Sequence, residues 1–136
     1  VDTVVPVIDL AAFFRRLKAR RLALGIASSD SAVAIERTCA RFGFAQDVDF
    51  IAGWDSGFGN KPERGMLDAF AARCGLPASR IAVVGDNLHD MEMARNGGAG
   101  LRIGVLTGTS ARAELDGHCD LCLDSIRDLE AALFAV

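Results

Sequence analysis

Ile81-Ala82-Val83-Val84-Gly85-Asp86-Asn87-Leu88-His89-Asp90 is the stretch on which the fold turns. An unbroken apolar run ends at a glycine and an acid, and a helix-forming segment follows at once. Such a run predicts a strand covered on both faces, as in a parallel sheet. Gly85 lets the backbone turn sharply. The helix after it is expected over about Leu88 to Ala94, stopping at Gly97-Gly98. Asp86 and Asp90 lie four apart, on one side of the nascent helix turn, where two carboxylates can serve one hard cation. Magnesium suits oxygen-only ligands combined with a substrate phosphate.

Outward from this stretch the same alternation continues. Upstream, Leu10, Phe13, Phe14 and Leu17 follow helical spacing, with Arg15, Arg16 and Lys18 on the other side. Leu22 to Ala27 is apolar throughout and predicts a second strand covered on both faces. Ser29 and Asp30 offer N-cap oxygens to a helix carrying Ala32, Ile35 and Cys39, which stops near Gly43. Asp49 to Ala52 reads as a short strand, Trp54 to Asn60 as a glycine-punctuated loop, and a helix begins near Pro62 and ends at Gly75-Leu76-Pro77. Downstream, Leu101 to Leu106 and Leu121 to Leu123 are strands. The last helix opens at Ser125-Ile126-Arg127-Asp128 and buries Ile126, Leu129 and Leu133. Strands alternating with helices predict an α/β fold, a Rossmann-like three-layer sandwich with a mainly parallel sheet and right-handed crossovers. No repeat, low-complexity tract or linker interrupts it, so residues 1–136 read as a single domain.

Composition narrows the function. The chain has 136 residues, 51% hydrophobic and 24% charged, which is enough for a core without staples and excludes general disorder. No apolar stretch reaches the roughly 18–20 residues of a membrane span. Fifteen basic against eighteen acidic side chains, with no long basic run, argue against nucleic acid. A soluble, cytoplasmic domain acting on a small molecule is expected. The chain opens Val1-Asp2-Thr3 with its methionines at Met66, Met91 and Met93, so it is expected to be part of a longer protein.

Of the four cysteines, Cys39 and Cys74 occupy apolar helical positions. Cys119 and Cys122 form a C-x-x-C after His118, but no second ligand pair at zinc spacing accompanies it. Reduced, structural thiols are expected.

In open α/β sheets chemistry collects beyond the carboxyl ends of strands. Ser28 and Ser29 sit at such an end, where a hydroxyl and backbone N–H groups can hold phosphate oxygens. Lys61 brings a point positive charge from the glycine-shaped loop. Each has an ordinary alternative. Ser28 can cap a helix, Lys61 can be a solvated charge, Asp86 and Asp90 can favour a helix dipole, and His89 can be a surface residue. Their shared location at strand ends favours a phosphate site with Ser28, Ser29 and Lys61 on the anion and Asp86 and Asp90 on the metal.

These segments resemble the haloacid dehalogenase superfamily of phosphatases, most closely its phosphoglycolate-phosphatase-like members, over nearly all of residues 5–134. Leu24 to Asp30 looks like the family's second motif, with Ser28 as its phosphate-binding hydroxyl. Asp55 to Pro62 resembles the third, with Lys61 as its lysine. Val83 to Asp90 resembles the fourth, G-D-x-x-x-D, with Asp86 and Asp90 as its acidic pair, and Gly104 to Gly108 is similar to the segment that follows. The resemblance implies a magnesium-dependent phosphatase that works through an aspartyl-phosphate intermediate.

One departure is large. The family's opening D-x-D-G-T, which supplies the nucleophile and the general acid/base, has no counterpart here. Asp47-Val48-Asp49 is a D-x-D followed by Phe50-Ile51 and serves as a decoy. Asp9 lacks a second acid two residues on and is expected to cap the first helix. The missing nucleophile strand would lie between the strands matching residues 22–27 and 81–85, leaving two edges open to self-association unless Thr3 to Ile8, another segment, another chain or a rearranged packing fills the place. The cap domain is expected to be missing too, so the substrate is unassigned and the isolated chain is expected to be inactive. The alternative is a truncated or degenerate domain with a binding role. A response-regulator receiver fits less well, since its acids come early and its lysine late.

Overall fold

The computed structural model describes residues 9–106, 115 and 117–134. They form an α/β structure in which every strand pairing is parallel. The chain divides into two compact units, residues 1–59 and 60–136.

In the first unit, helix α1 (Leu10–Ala19) leads to strand β1 (Gly25–Ala27), helix α2 (Ala32–Arg41) and strand β2 (Phe50–Ala52). Asp9 caps α1, its Oδ1 accepting from Ala12 N at 3.1 Å, and Phe13 and Leu17 bury the apolar side. β1 pairs with β2 in the register Gly25–Phe50 to Ala27–Ala52. The core gathers Ile35, Cys39 and Phe44, with Leu10, Phe14, Ile26 and Ile51 packed against it. Phe14 and Phe44 stack with centroids 4.3 Å apart. Burial pushes the Cys39 thiol above its ordinary pKa.

Two expectations change here. The strand begins at Gly25 rather than Leu22, because Leu24 is bound by an aspartate. Leu24 N donates to Asp49 Oδ2 at 2.8 Å while Asp49 N donates to Leu24 O at 2.7 Å. Lys18 Nζ closes on the same Oδ2 at 2.7 Å, so Asp49 is a structural clamp. The cap of α2 is Ser31, whose hydroxyl accepts from Ala34 N at 3.2 Å, and not Ser29 or Asp30.

The second unit runs through α3 (Gly65–Cys74), β3 (Ala82–Gly85), α4 (Leu88–Gly97), β4 (Leu101–Val105), β5 (Leu121–Leu123) and α5 (Leu129–Phe134). Its sheet has the order β3-β4-β5. Ile81, Val83, Ile103 and Val105 bury with Met66 and Leu67 of α3 and Met91, Met93 and Ala94 of α4. α3 starts at Gly65 rather than Pro62. A separate turn comes first, closed by Asn60 N on Glu63 Oε1 at 3.0 Å and by Glu63 N on Asn60 O at 2.8 Å. Asp120 accepts from Arg102 N at 2.8 Å, and that bond holds its carboxyl below the usual range. The final helix is preceded by a 3-10 turn over Ile126–Asp128.

β1 and β3, the strands expected to flank an absent neighbour, each pair on one edge only among the described residues. The expectation that both are covered on both faces fails. Ala82 and Val84, two residues apart in β3, fall on one face of the strand and are exposed while Val83 on the other is buried, and Gly25 of β1 is exposed as well. The stretch Thr3 to Ile8, offered above as a filler, and Thr107-Gly108 lie outside the described residues. No helix among the described residues is long and apolar enough to cross a membrane.

Candidate active site

The second unit brings Lys61 and Asp90 together. Lys61 Nζ donates to Asp90 Oδ1 at 2.5 Å, and the two side chains retain only 14% and 10% of their exposure. A buried carboxylate next to a buried ammonium is a matched pair, and each offsets the other's loss of hydration. Asn87 prepares this placement. It caps α4, its side-chain oxygen accepting from His89 N at 2.8 Å, so Asp90 falls in the first helical turn.

Gly85 completes the arrangement. A Cβ there would lie 2.5 Å from both Cγ and Oδ2 of Asp90, well inside contact distance, so the carboxylate rests directly against the backbone at the end of β3. Gly85→Ala is therefore expected to force Asp90 away from Lys61 and to destabilise the second unit by about 2 kcal/mol, the usual range for overpacking. Denaturant unfolding checks the value. A variant as stable as the parent would refute the close approach.

Asp86 precedes the cap residue Asn87, so it lies in the connection between β3 and α4 and is exposed. The expectation that Asp86 and Asp90 share one side of a helix turn fails, since Asn87 adopts extended backbone angles (φ −134°, ψ 148°) and begins the helix after Asp86. What the two share is the carboxyl end of β3. Both offer oxygen donors only. No group of three or more His, Cys, Asp or Glu that could hold a metal occurs among the described residues. Two carboxylates fit magnesium, which keeps several waters and needs few protein ligands. His89 is a surface residue beside Glu92, Nδ1 to Oε1 3.4 Å.

In the first unit, Ser28 follows β1, its N–H donating to Ala52 O at 3.0 Å. Its hydroxyl oxygen accepts from Asp30 N at 3.1 Å, which turns the chain toward α2, and Ser29 is exposed at that turn. Bonds that sequence reasoning did not foresee hold the loop after β2 onto the same turn. Trp54 N donates to Asp30 O at 3.0 Å, and Ala32 N donates to Asp55 Oδ1 at 3.0 Å. The local signal was an acid in a loop beside a helix start, which by itself is common.

Cys119 lies before β5 and donates its thiol to Leu115 O at 3.2 Å, while Cys122 is within β5.

Comparison with known proteins adds four findings. Residues 1–98 match the model of haloacid dehalogenase-like hydrolases. The D-glycero-beta-D-manno-heptose-1,7-bisphosphate 7-phosphatase of Salmonella typhi is 33% identical over 73 residues, which is 54% of this chain and 39% of that protein. A HAD family hydrolase from Deinococcus radiodurans R1, solved with bound phosphate and sodium, superposes with a TM-score of 0.82 at 23% identity, over 95% of this chain and 59% of that one. A predicted phosphoglycolate phosphatase from Haemophilus somnus 129pt superposes with a TM-score of 0.83 at 19% identity, over 91% and 55%. The chain thus spans about two fifths of that curated relative and under two thirds of these solved structures.

Proposed function

Because the chain belongs to the haloacid dehalogenase-like hydrolase family, we propose that the protein it contributes to is a magnesium-dependent phosphatase of small phosphomonoesters, working through an aspartyl-phosphate. The observation that carries this reading is the buried Lys61–Asp90 pair at the end of β3. Lys61 is the cation aimed at the transferring phosphoryl group, and its charge lowers the barrier most where negative charge accumulates in the transition state. Asp90 holds that ammonium in place. Ser28 and Ser29 supply hydroxyl and N–H donors to phosphate oxygens. Asp86 would hold magnesium directly and Asp90 through water or by orienting the shell, and the bound ion would supply charge neutralisation to the phosphate.

The nucleophile is an aspartate in the family's D-x-D-G-T setting, which residues 1–136 do not contain. Its carboxylate attacks phosphorus, the ester oxygen leaves with a proton from the second acid, and water then releases phosphate. The relatives' names point to sugar phosphates and phosphoglycolate. Their common chemistry is a monoester of a small metabolite, and phosphoglycolate is the member we favour. The edges of β1 and β3 that have no partner among the described residues make self-association a further expectation for the chain on its own.

The test compares purified residues 1–136 with the full reading frame on p-nitrophenyl phosphate, with and without magnesium. Negligible turnover by the chain and metal-dependent turnover by the full protein are expected. Metal-dependent turnover by the chain alone would overturn the assignment of the nucleophile, and an inactive full protein would favour a binding role.

A further inference from the structure

We propose that Asn96, at the opposite end of α4 from Asp90, is a positioning residue for the Lys61 ammonium. Helix α4 grips the Lys61-Pro62 segment at two points. In its first turn Asp90 takes the ammonium, and in its last turn Asn96 Nδ2 donates to the Pro62 carbonyl at 2.9 Å. At the helical rise these anchors stand about 9 Å apart along the axis, which matches the reach from a prolyl carbonyl along the preceding lysine to its tip.

A carboxylate alone fixes only the end of a side chain with several rotatable bonds. The base must also be fixed for the ammonium to stay in one place. The turn that bears Lys61 is closed internally by Asn60 and Glu63, and Asn96 moors that turn to α4. Arg64 reinforces the mooring. Its Nη1 donates to the Asn96 backbone carbonyl at 3.1 Å while its Nε binds Asp68 at 2.9 Å, which ties the start of α3 to the same helix end.

Asn96 and Arg64 are both exposed, so these bonds add little to folding and act on placement. That Lys61 faces phosphate rests on the function proposed above. The mooring itself rests on the geometry alone.

The test separates the two. Asn96→Leu keeps the side chain's size and suits a helix better, but removes the donor. Asn96→Gln keeps an amide donor. Both leave the backbone carbonyl that Arg64 uses. In residues 1–136, the exchange of Lys61 ammonium protons with water is read by ¹⁵N–¹H spectroscopy together with the melting temperature. Asn96→Leu should speed that exchange about fivefold, the factor expected for one lost hydrogen bond, with an almost unchanged melting temperature. Asn96→Gln should restore slow exchange. Asn96→Ala replaces the leucine variant if the latter fails to fold. Unchanged exchange in the donor-less variant overturns the proposal. In the complete protein the same variant should lower kcat by a similar factor with KM retained. Faster exchange with unchanged kcat would leave the mooring in place and remove Lys61 from the chemistry.

Discussion

Lys61→Met should destabilise the second unit by about 3 kcal/mol, the lower end of what breaking a buried ion pair costs. Methionine keeps the length of the side chain and loses the charge. Asp90 is then left 7% exposed with no ammonium on its Oδ1. The penalty is that of a stranded carboxylate, so removing its charge as well should recover most of the loss. The double variant Lys61→Met/Asp90→Asn is expected to lie within about 1 kcal/mol of the parent, because replacing both partners of a buried pair is often nearly neutral. Denaturant unfolding of the parent, Lys61→Met, Asp90→Asn and the double variant gives the coupling energy. A double variant as unstable as Lys61→Met alone would mean that the two groups act separately. In the complete protein Lys61→Met should also lower kcat by roughly a hundredfold, in line with the loss of one transition-state donor.

Gly53→Ala should damage the first unit to a similar degree through packing. A Cβ at Gly53 would lie 2.5 Å from Ala32 N, 2.5 Å from Asp30 O and 2.8 Å from Ser31 C. All three are backbone atoms at the start of α2, so no side chain can swing aside. The loop carrying Trp54 and Asp55 would have to lift away, giving up its bonds to Asp30 and Ala32. A cost of about 3 kcal/mol follows, at the upper end for overpacking. Gly57→Ala is the informative control. Gly57 has φ +86° with nothing within 4 Å of a Cβ, so alanine there meets only the left-handed backbone penalty of about 1 kcal/mol. If Gly57→Ala proves the more damaging, the contact at Gly53 is softer than its geometry implies.

The alternation of helix and strand was legible because burial imposes its period on the residues themselves. β3 and α4 were readable from Val83-Val84-Gly85 and the segment after it, and Asp9 from its place before an amphipathic run. Local pattern does not specify neighbours, however. Val84 looks like a residue of a fully covered strand, yet it is 36% exposed, because the face of β3 that it shares with Ala82 is left open. The helix caps were misassigned within Ser28 to Ser31, where several oxygens compete and backbone geometry selects one. Lys61 and Asp90 were legible as residue types at strand ends. Their direct pairing was not, since it joins positions far apart in the chain. The roles of Gly53, Asp55 and Asn96 left no trace for the same reason: each acts on a partner that only folding supplies.

The Lys61–Asp90 pair has a thermodynamic corollary. A lysine normally surrenders much of its rotameric freedom on the arrival of an anion, and that loss weakens capture. Here the side chain is already immobilised when the polypeptide collapses. The entropic penalty falls on protein stability instead of on ligand affinity, and on the function proposed above an incoming phosphate would meet a charge that has little left to lose.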